Sequence, residues 1–209
     1  MRDGMSGEPI RFYFDFISPF AYLGSVAVER LAAKTGRAVE WRPVLIGITI
    51  LRIMGMKALP ETPLKGPYLQ RDFVRQAGYL DVPLARGAAP IGQLIAPLPP
   101  MRAFVMLNEK DKALAKRFAQ EVFAARWVHR ENPSAPDGLI SVARRLGVDP
   151  APLIAANDDP AIKERLTVQV NDAIAAGVFG VPTFQVGTEL FWGADHLPQL
   201  ERWLETGGW

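Results

Sequence analysis

Apolar side chains fill positions 10–16 with few interruptions, Asp15 being the one acid among them, and the run predicts a strand buried on both faces. Ser18-Pro19 follows, a pair suited to opening a helix: the serine can cap orphan amides, and proline fits the first turn. Phe20, Leu23, Ala27 and Leu31 then recur at helical spacing, and Gly36 predicts the stop. Val39, Trp41 and the apolar run at 44–46 predict a second strand, parallel to the first because a helix separates the two.

A matching pattern closes the chain. Asp159-Pro160 predicts a helix start, Ile162, Leu166, Val170 and Ile174 its buried face, and Gly177 its end. Residues 181–186 predict a strand, Gly187-Thr188 a two-residue hairpin turn, and 189–192 the partner strand. Leu197, Leu200 and Leu204 mark the inner side of a last helix. Between the two units, helical patterns occupy 68–79, 101–130 and 139–146, with prolines grouped between Pro90 and Pro100 marking a loop. The order is βαβ, a long middle, then αββα. Residues 1–46 and 159–209 are expected to form one α/β domain and 47–158 an all-helical insertion.

Composition narrows the chemistry. The chain of 209 residues has 24 basic and 22 acidic side chains without long runs, and no basic-aromatic motif points to nucleic acid. It has no cysteine, which excludes a disulfide, a thiolate metal site and a redox couple carried by the protein itself. Two histidines, His129 and His196, do not support a histidine-rich zinc site. The apolar runs fall short of the ~18 residues of a membrane span, and residues 1–9 carry no leader-like stretch; a cytoplasmic protein is expected.

Three stretches carry a resemblance to a known family. Asp15-Phe16-Ile17-Ser18-Pro19-Phe20-Ala21-Tyr22-Leu23 resembles the active-site turn of the 2-hydroxychromene-2-carboxylate isomerases and the kappa-class glutathione transferases. Gly177-Val178-Phe179-Gly180-Val181-Pro182-Thr183-Phe184 resembles their proline-bearing strand, and Phe191-Trp192-Gly193-Ala194-Asp195 the loop before their last helix. Lys65-Gly66-Pro67-Tyr68, with Asp72 one turn on, is similar to the start of their inserted helices. The resemblance implies an α/β, thioredoxin-like fold with a large helical insertion, related to bacterial disulfide oxidoreductases. It further implies glutathione as cofactor, a small aromatic or electrophilic substrate, and a homodimer.

Ser18 stands where thioredoxin-like oxidoreductases place the first cysteine of Cys-x-x-Cys. Its plain role is a helix N-cap. In this setting its hydroxyl can also donate to a bound thiolate, which the helix N-terminus favours electrostatically. A free thiol of pKa ~8.5 is only slightly ionised at neutral pH, so a site that lowers it activates a borrowed thiol. No histidine is placed nearby in sequence to make Ser18 itself a nucleophile.

The remaining candidates come from the resemblance. It implies a cis Val181–Pro182 bond that turns the backbone groups of Val181 toward glutathione's cysteine. Asp195, also a candidate cap of the last helix, is implied to meet the γ-glutamyl ammonium, with the Ala194 amide serving the glutamyl carboxylate. Lys65 is a candidate partner for a glutathione carboxylate. Two family amide positions differ: Gly55-Met56-Lys57 and Pro99 stand there instead. Trp127, Phe123, Phe104 and Tyr68 are candidates either for an apolar substrate pocket or for plain core; His129 and Arg130 for a substrate carboxylate or the surface.

The leading expectation is glutathione-dependent isomerisation of 2-hydroxychromene-2-carboxylate or a related aromatic-degradation intermediate by reversible thiolate addition. A kappa-like transferase or peroxidase, and a non-catalytic glutathione-binding module, stand beside it.

Overall fold

The computed structural model describes residues 7–87 and 95–209; residues 1–6 of the leader reading and Pro90 of the proline group lie outside them. Strand β1 (Ile10–Phe14) is central in a four-stranded sheet of order β2-β1-β3-β4. It pairs in parallel with β2 (Val39–Pro43) and antiparallel with β3 (Thr183–Val186), which forms a hairpin with β4 (Glu189–Trp192). Register stacks aromatic rings across the strands. Phe12 faces Trp41 on one side and Phe184 on the other, with ring centroids 4.9 and 5.5 Å apart.

Helix α1 (Pro19–Thr35) crosses between β1 and β2 and ends on Gly36, whose φ of 67° is the left-handed cap that glycine adopts without a Cβ penalty. The inserted stretch contributes α2 (Lys65–Tyr79), α3 (Leu98–Lys110), α4 (Lys112–Trp127), α5 (Pro136–Leu146) and the short α6 (Pro150–Ala155). Helix α7 (Pro160–Ala175) leads back to β3, and α8 (Leu197–Thr206) closes the chain. The expected thioredoxin-like α/β fold with its helical insertion is the fold observed. No helix among the described residues is long and apolar enough to cross a membrane.

One continuous core joins the sheet to the inserted helices. Phe14 meets Phe104 of α3 edge-on at 5.1 Å, and Phe16 meets Phe123 of α4 at the same separation. Tyr13 points the other way, into a smaller cluster with Val44, Ala173 and Val178.

Local departures from the sequence pattern have identifiable causes. The helix expected at 101–130 is two helices, broken at Asp111, which leaves helical geometry (φ −152°, ψ 98°) and caps α4 by accepting from the Leu114 amide at 2.9 Å. That local bond competes with helix continuation, and α3 and α4 pack side by side as a result. Pro99 and Pro100, read as loop, sit in the first turn of α3, where a missing amide hydrogen costs nothing. The second strand stops at Pro43, and 44–46 is not strand: the Val44 amide still reaches the Phe14 carbonyl, but the chain then turns into a π-helical segment, Gly47–Ile53. The third strand starts at Thr183 rather than 181.

Candidate active site

The helix start at Ser18 is built as its sequence requires. Ser18 is extended (φ −84°, ψ 117°), and its Oγ accepts a hydrogen bond from the Ala21 amide at 3.1 Å. Pro19 has no amide hydrogen, and the Tyr22 amide returns to the Ser18 carbonyl at 3.3 Å. Two donors remain without a partner among the described residues: the Ser18 hydroxyl hydrogen and the Phe20 amide. Both lie at the positive end of α1, a 17-residue helix, where negative charge is favoured.

The strand opposite supplies the complementary backbone. Val181–Pro182 is cis, and neither the amide nor the carbonyl of Val181 has a hydrogen-bond partner among the described residues. Helix α1 holds this loop closely. A Cβ on Gly24 would lie 2.9 Å from the Pro182 Cβ, so only glycine allows the approach without a shift. The Pro182 carbonyl accepts from the Gly193 amide at 2.8 Å, which ties the Pro182 loop to the turn carrying Ala194 and Asp195. Gly193 has φ 103°, and a side chain there would collide with the Asp195 carboxylate.

Asp195 occupies a 3-10 turn, Ala194–His196, with its side chain two-thirds exposed and its carboxylate 3.6 Å from His196 Nδ1. It does not cap the last helix: His196 holds the position before α8, and no side chain bonds the amides there. Ala194 is buried. Lys65 begins α2, exposed and without an ion pair among the described residues, one turn before Leu69 on the same helical face.

Ser18, Val181 and Leu69 share one cleft of about 130 Å³. Ile17, Pro19 and Phe20 form its helix side, Ile46, Gly47, Ile50 and Leu51 a second wall, Ala58, Leu59 and Pro60 a third, and Trp192 its rim. Helix α2 closes tightly on the third wall, since any side chain at Gly66 would collide with the Pro60 carbonyl. Trp192 lies across the Gly180 backbone, where an added Cβ would be 2.7 Å from its Nε1. The aromatic candidates Trp127, Phe123 and Phe104 are core rather than pocket, Tyr68 is half-exposed outside the cleft, and His129 and Arg130 are on the surface. Met56 is exposed, and neither it nor Pro99 lines the cleft.

The pattern reading missed Asp15 as a site residue. Its carboxyl is fully buried and accepts from two amides, Ile17 at 3.2 Å and Ile46 at 2.9 Å. It therefore pins the Ser18 turn to the second wall of the cleft. Burial pushes its pKa from 3.8 up to about 7, against the pull of the two amide bonds. The signal was present in the sequence: an acid within a run of apolar residues is costly to bury, and so marks a position with a task.

The family description of a DSBA-like thioredoxin domain matches residues 9–205. A 2-hydroxychromene-2-carboxylate isomerase of Sphingobium xenophagum is 32% identical over 200 residues, covering 94% of this chain and 98% of that protein. Glutathione S-transferase kappa 1 of Caenorhabditis elegans is 24% identical, covering 90% and 87%. Among solved structures, a 2-hydroxychromene-2-carboxylate isomerase superposes with a TM-score of 0.80 at 28% identity, covering 94% of each chain. The chain belongs to the DsbA-like thioredoxin family, in the branch of the 2-hydroxychromene-2-carboxylate isomerases.

Proposed function

We propose that this protein is a glutathione-dependent isomerase of 2-hydroxychromene-2-carboxylate or a related conjugated intermediate of aromatic degradation. The observation that carries the reading is the pair of unpartnered donors, Ser18 hydroxyl and Phe20 amide, at a helix N-terminus that opens into an apolar cleft. In a protein without cysteine, such donors suit a thiolate brought by a cofactor. Further residues offer groups that suit the rest of the tripeptide. Val181 offers an amide and a carbonyl to the cysteinyl main chain, as an added strand would. Asp195 answers the γ-glutamyl ammonium, the Ala194 amide the neighbouring carboxylate, and Lys65 a further carboxylate.

The chemistry needs no net oxidation. Glutathione, when bound, would supply a thiolate that adds reversibly to the β-carbon of the conjugated ketone, which forms as the chromene ring C–O bond opens and the hydroxyl proton passes to the phenol oxygen, so that the former double bond can rotate before the thiolate leaves. Ser18 and Phe20 would donate to that thiolate before addition and after its release. In this reading the thioredoxin-like part, 1–46 and 159–209, holds glutathione with Lys65 reaching it from the insertion, 47–158, which also supplies half of the cleft lining. The setting is cytoplasmic, where glutathione is reduced, and the assembly a homodimer.

The test follows chromene-to-benzylidenepyruvate conversion by absorbance, with and without glutathione. Conversion that requires glutathione supports the assignment; equal rates in both, or none in either, contradict it.

A further inference from the structure

A second cavity, of about 120 Å³, lies between α3 and α7 and is backed by the stretch of chain that walls the Ser18 cleft. Leu45 and Ile48 line this cavity, their neighbours Ile46, Gly47, Ile50 and Leu51 line the cleft, and no residue lines both. Leu166 and Val170, from the buried face of α7, complete its apolar side. Its polar side is made by Arg102 of α3 and by Lys163, Thr167 and Asn171 of α7. Thr167 uses its hydroxyl hydrogen on the Lys163 carbonyl at 3.0 Å, which leaves the two cations and the Asn171 amide as donors.

Neither cation is neutralised. Arg102 donates through Nη1 to the carbonyl and Oδ1 of Asn157, at 2.6 and 2.9 Å. Its Nε is buried without an acceptor, and its Nη2 has none among the described residues. Lys163 is half-buried, with no ion pair and no side-chain hydrogen bond among the described residues. Acids on the same two elements are committed elsewhere: Glu109 pairs with Arg165 at 2.6 Å, and Asp159 accepts from the Ala161 and Ile162 amides. No acid lines the cavity. Two like charges around one small space repel, and an anion placed between them relieves the repulsion.

We propose that this cavity is a second binding site, separate from the Ser18 cleft, for a small monocarboxylate with an apolar body, of about the size of benzoate. The carboxylate accepts charge-assisted bonds from Arg102 and Lys163, and an acceptor at Nη2 also offsets the orphaned Nε, because the two nitrogens share one delocalised charge. The body covers Leu45, Ile48, Leu166 and Val170, as in small-molecule sites that pair an apolar surface with a few convergent polar groups. A space of ~150 Å³ suffices for benzene, so a single ring is the matching size, its acid group toward the cations. A second carboxylate would lose hydration against aliphatic walls without a counter-charge. An inorganic anion would leave those walls uncovered. Nothing in this proposal depends on glutathione.

The test is a benzoate titration of the full chain, methyl-labelled at isoleucine, leucine and valine and followed by NMR, which reports affinity and location together. Saturable shifts are expected at Leu45, Ile48, Leu166 and Val170, with a Kd below about 10 mM for a ligand of this size. Shifts confined to the cleft methyls of Ile50, Leu59 and Leu69, or none that saturate, overturn the proposal. Benzyl alcohol, which lacks the charge, and sulfate, which lacks the body, are each expected to bind at the cavity methyls at least about tenfold more weakly. Equal affinity for either one overturns it. Lys163→Met is expected to weaken benzoate about tenfold and leave benzyl alcohol unchanged, and Lys163→Arg to retain benzoate. Unchanged benzoate affinity in Lys163→Met contradicts the assignment; Arg102→Gln makes the same test if that variant does not fold.

Discussion

Replacing Asp15 by asparagine should change how stability depends on pH more than it changes stability at any one pH. The carboxyl is fully buried, and burial raises its pKa from 3.8 to about 7. The folded chain therefore binds this proton more tightly than the unfolded chain does. Below about pH 4 both states are protonated and the group contributes no pH dependence. Between about pH 4 and pH 7 the unfolded chain has released the proton and the folded chain has not, so rising pH lowers stability. Above the folded pKa the loss is complete. A displacement of roughly three pH units corresponds to about 4 kcal/mol, the upper end of what the wild type loses across that window.

Asp15→Asn has no such titration. It also surrenders one of the two amide acceptances, because an amide group offers one oxygen and one NH₂ where the carboxyl offered two oxygens to Ile17 and Ile46. That loss, about 1–3 kcal/mol, is independent of pH and offsets the curve without tilting it. Urea denaturation at a series of pH values from about 4 to 8 measures both quantities. The difference between wild type and variant should move by several kcal/mol in the variant's favour as pH rises. Parallel curves would refute the argument, for they would mean that Asp15 titrates alike in the folded and unfolded chains.

Further expectations concern the elements around the cleft. Gly24→Ala places a Cβ 2.9 Å from Pro182; overpacking of ~1–3 kcal/mol should exceed the ~1 kcal/mol gained in helix propensity, and thermal melts should show a net loss. An unchanged melting temperature would contradict the close approach of α1 to the Pro182 loop. Asp195→Asn leaves an exposed turn otherwise intact, so calorimetry should find weaker glutathione binding with little change in stability. Its effect should vanish for glutathione lacking the γ-glutamyl ammonium; persistence there would remove Asp195 from that role. Asp111→Ala deletes the cap of α4 and should cost about 1 kcal/mol of stability in denaturant titration without altering glutathione affinity.

The parts of the fold written in local chemistry were legible along the chain. The Ser18-Pro19 start, the Gly36 stop and the Gly187-Thr188 hairpin each depend on neighbours in sequence, and each forms where the pattern puts it; the strand expected over 10–16 forms too, but ends at Phe14, where Asp15 turns the chain toward Ser18. The break at Asp111 was not, because an unbroken helical period spans it and only the competition between cap and continuation decides the outcome. The cleft was hidden for a different reason. Its walls come from Ile46, Ile50, Leu51, Leu59, Pro60 and Leu69, aliphatic residues whose period says nothing about which face a tertiary gap will open. Aromatic residues at clear helical spacing, Phe104, Phe123 and Trp127, went to the core instead. Asp15 shows the same limit from the polar side: its position was plain, but its two amide partners come from the Ser18 turn and, across the fold, from Ile46.

The central claim, that this protein activates a thiol it does not own, is tested most directly by titrating that thiol while bound. Ultraviolet thiolate absorbance of glutathione, followed against pH on the wild type and on Ser18→Ala, reports its pKa in the site. The account predicts a value about one to two units below the ~8.5 of a free thiol in the wild type, with roughly one unit of that lowering lost in Ser18→Ala. A bound thiol that titrates as it does in free solution, or alike in the two proteins, would contradict it.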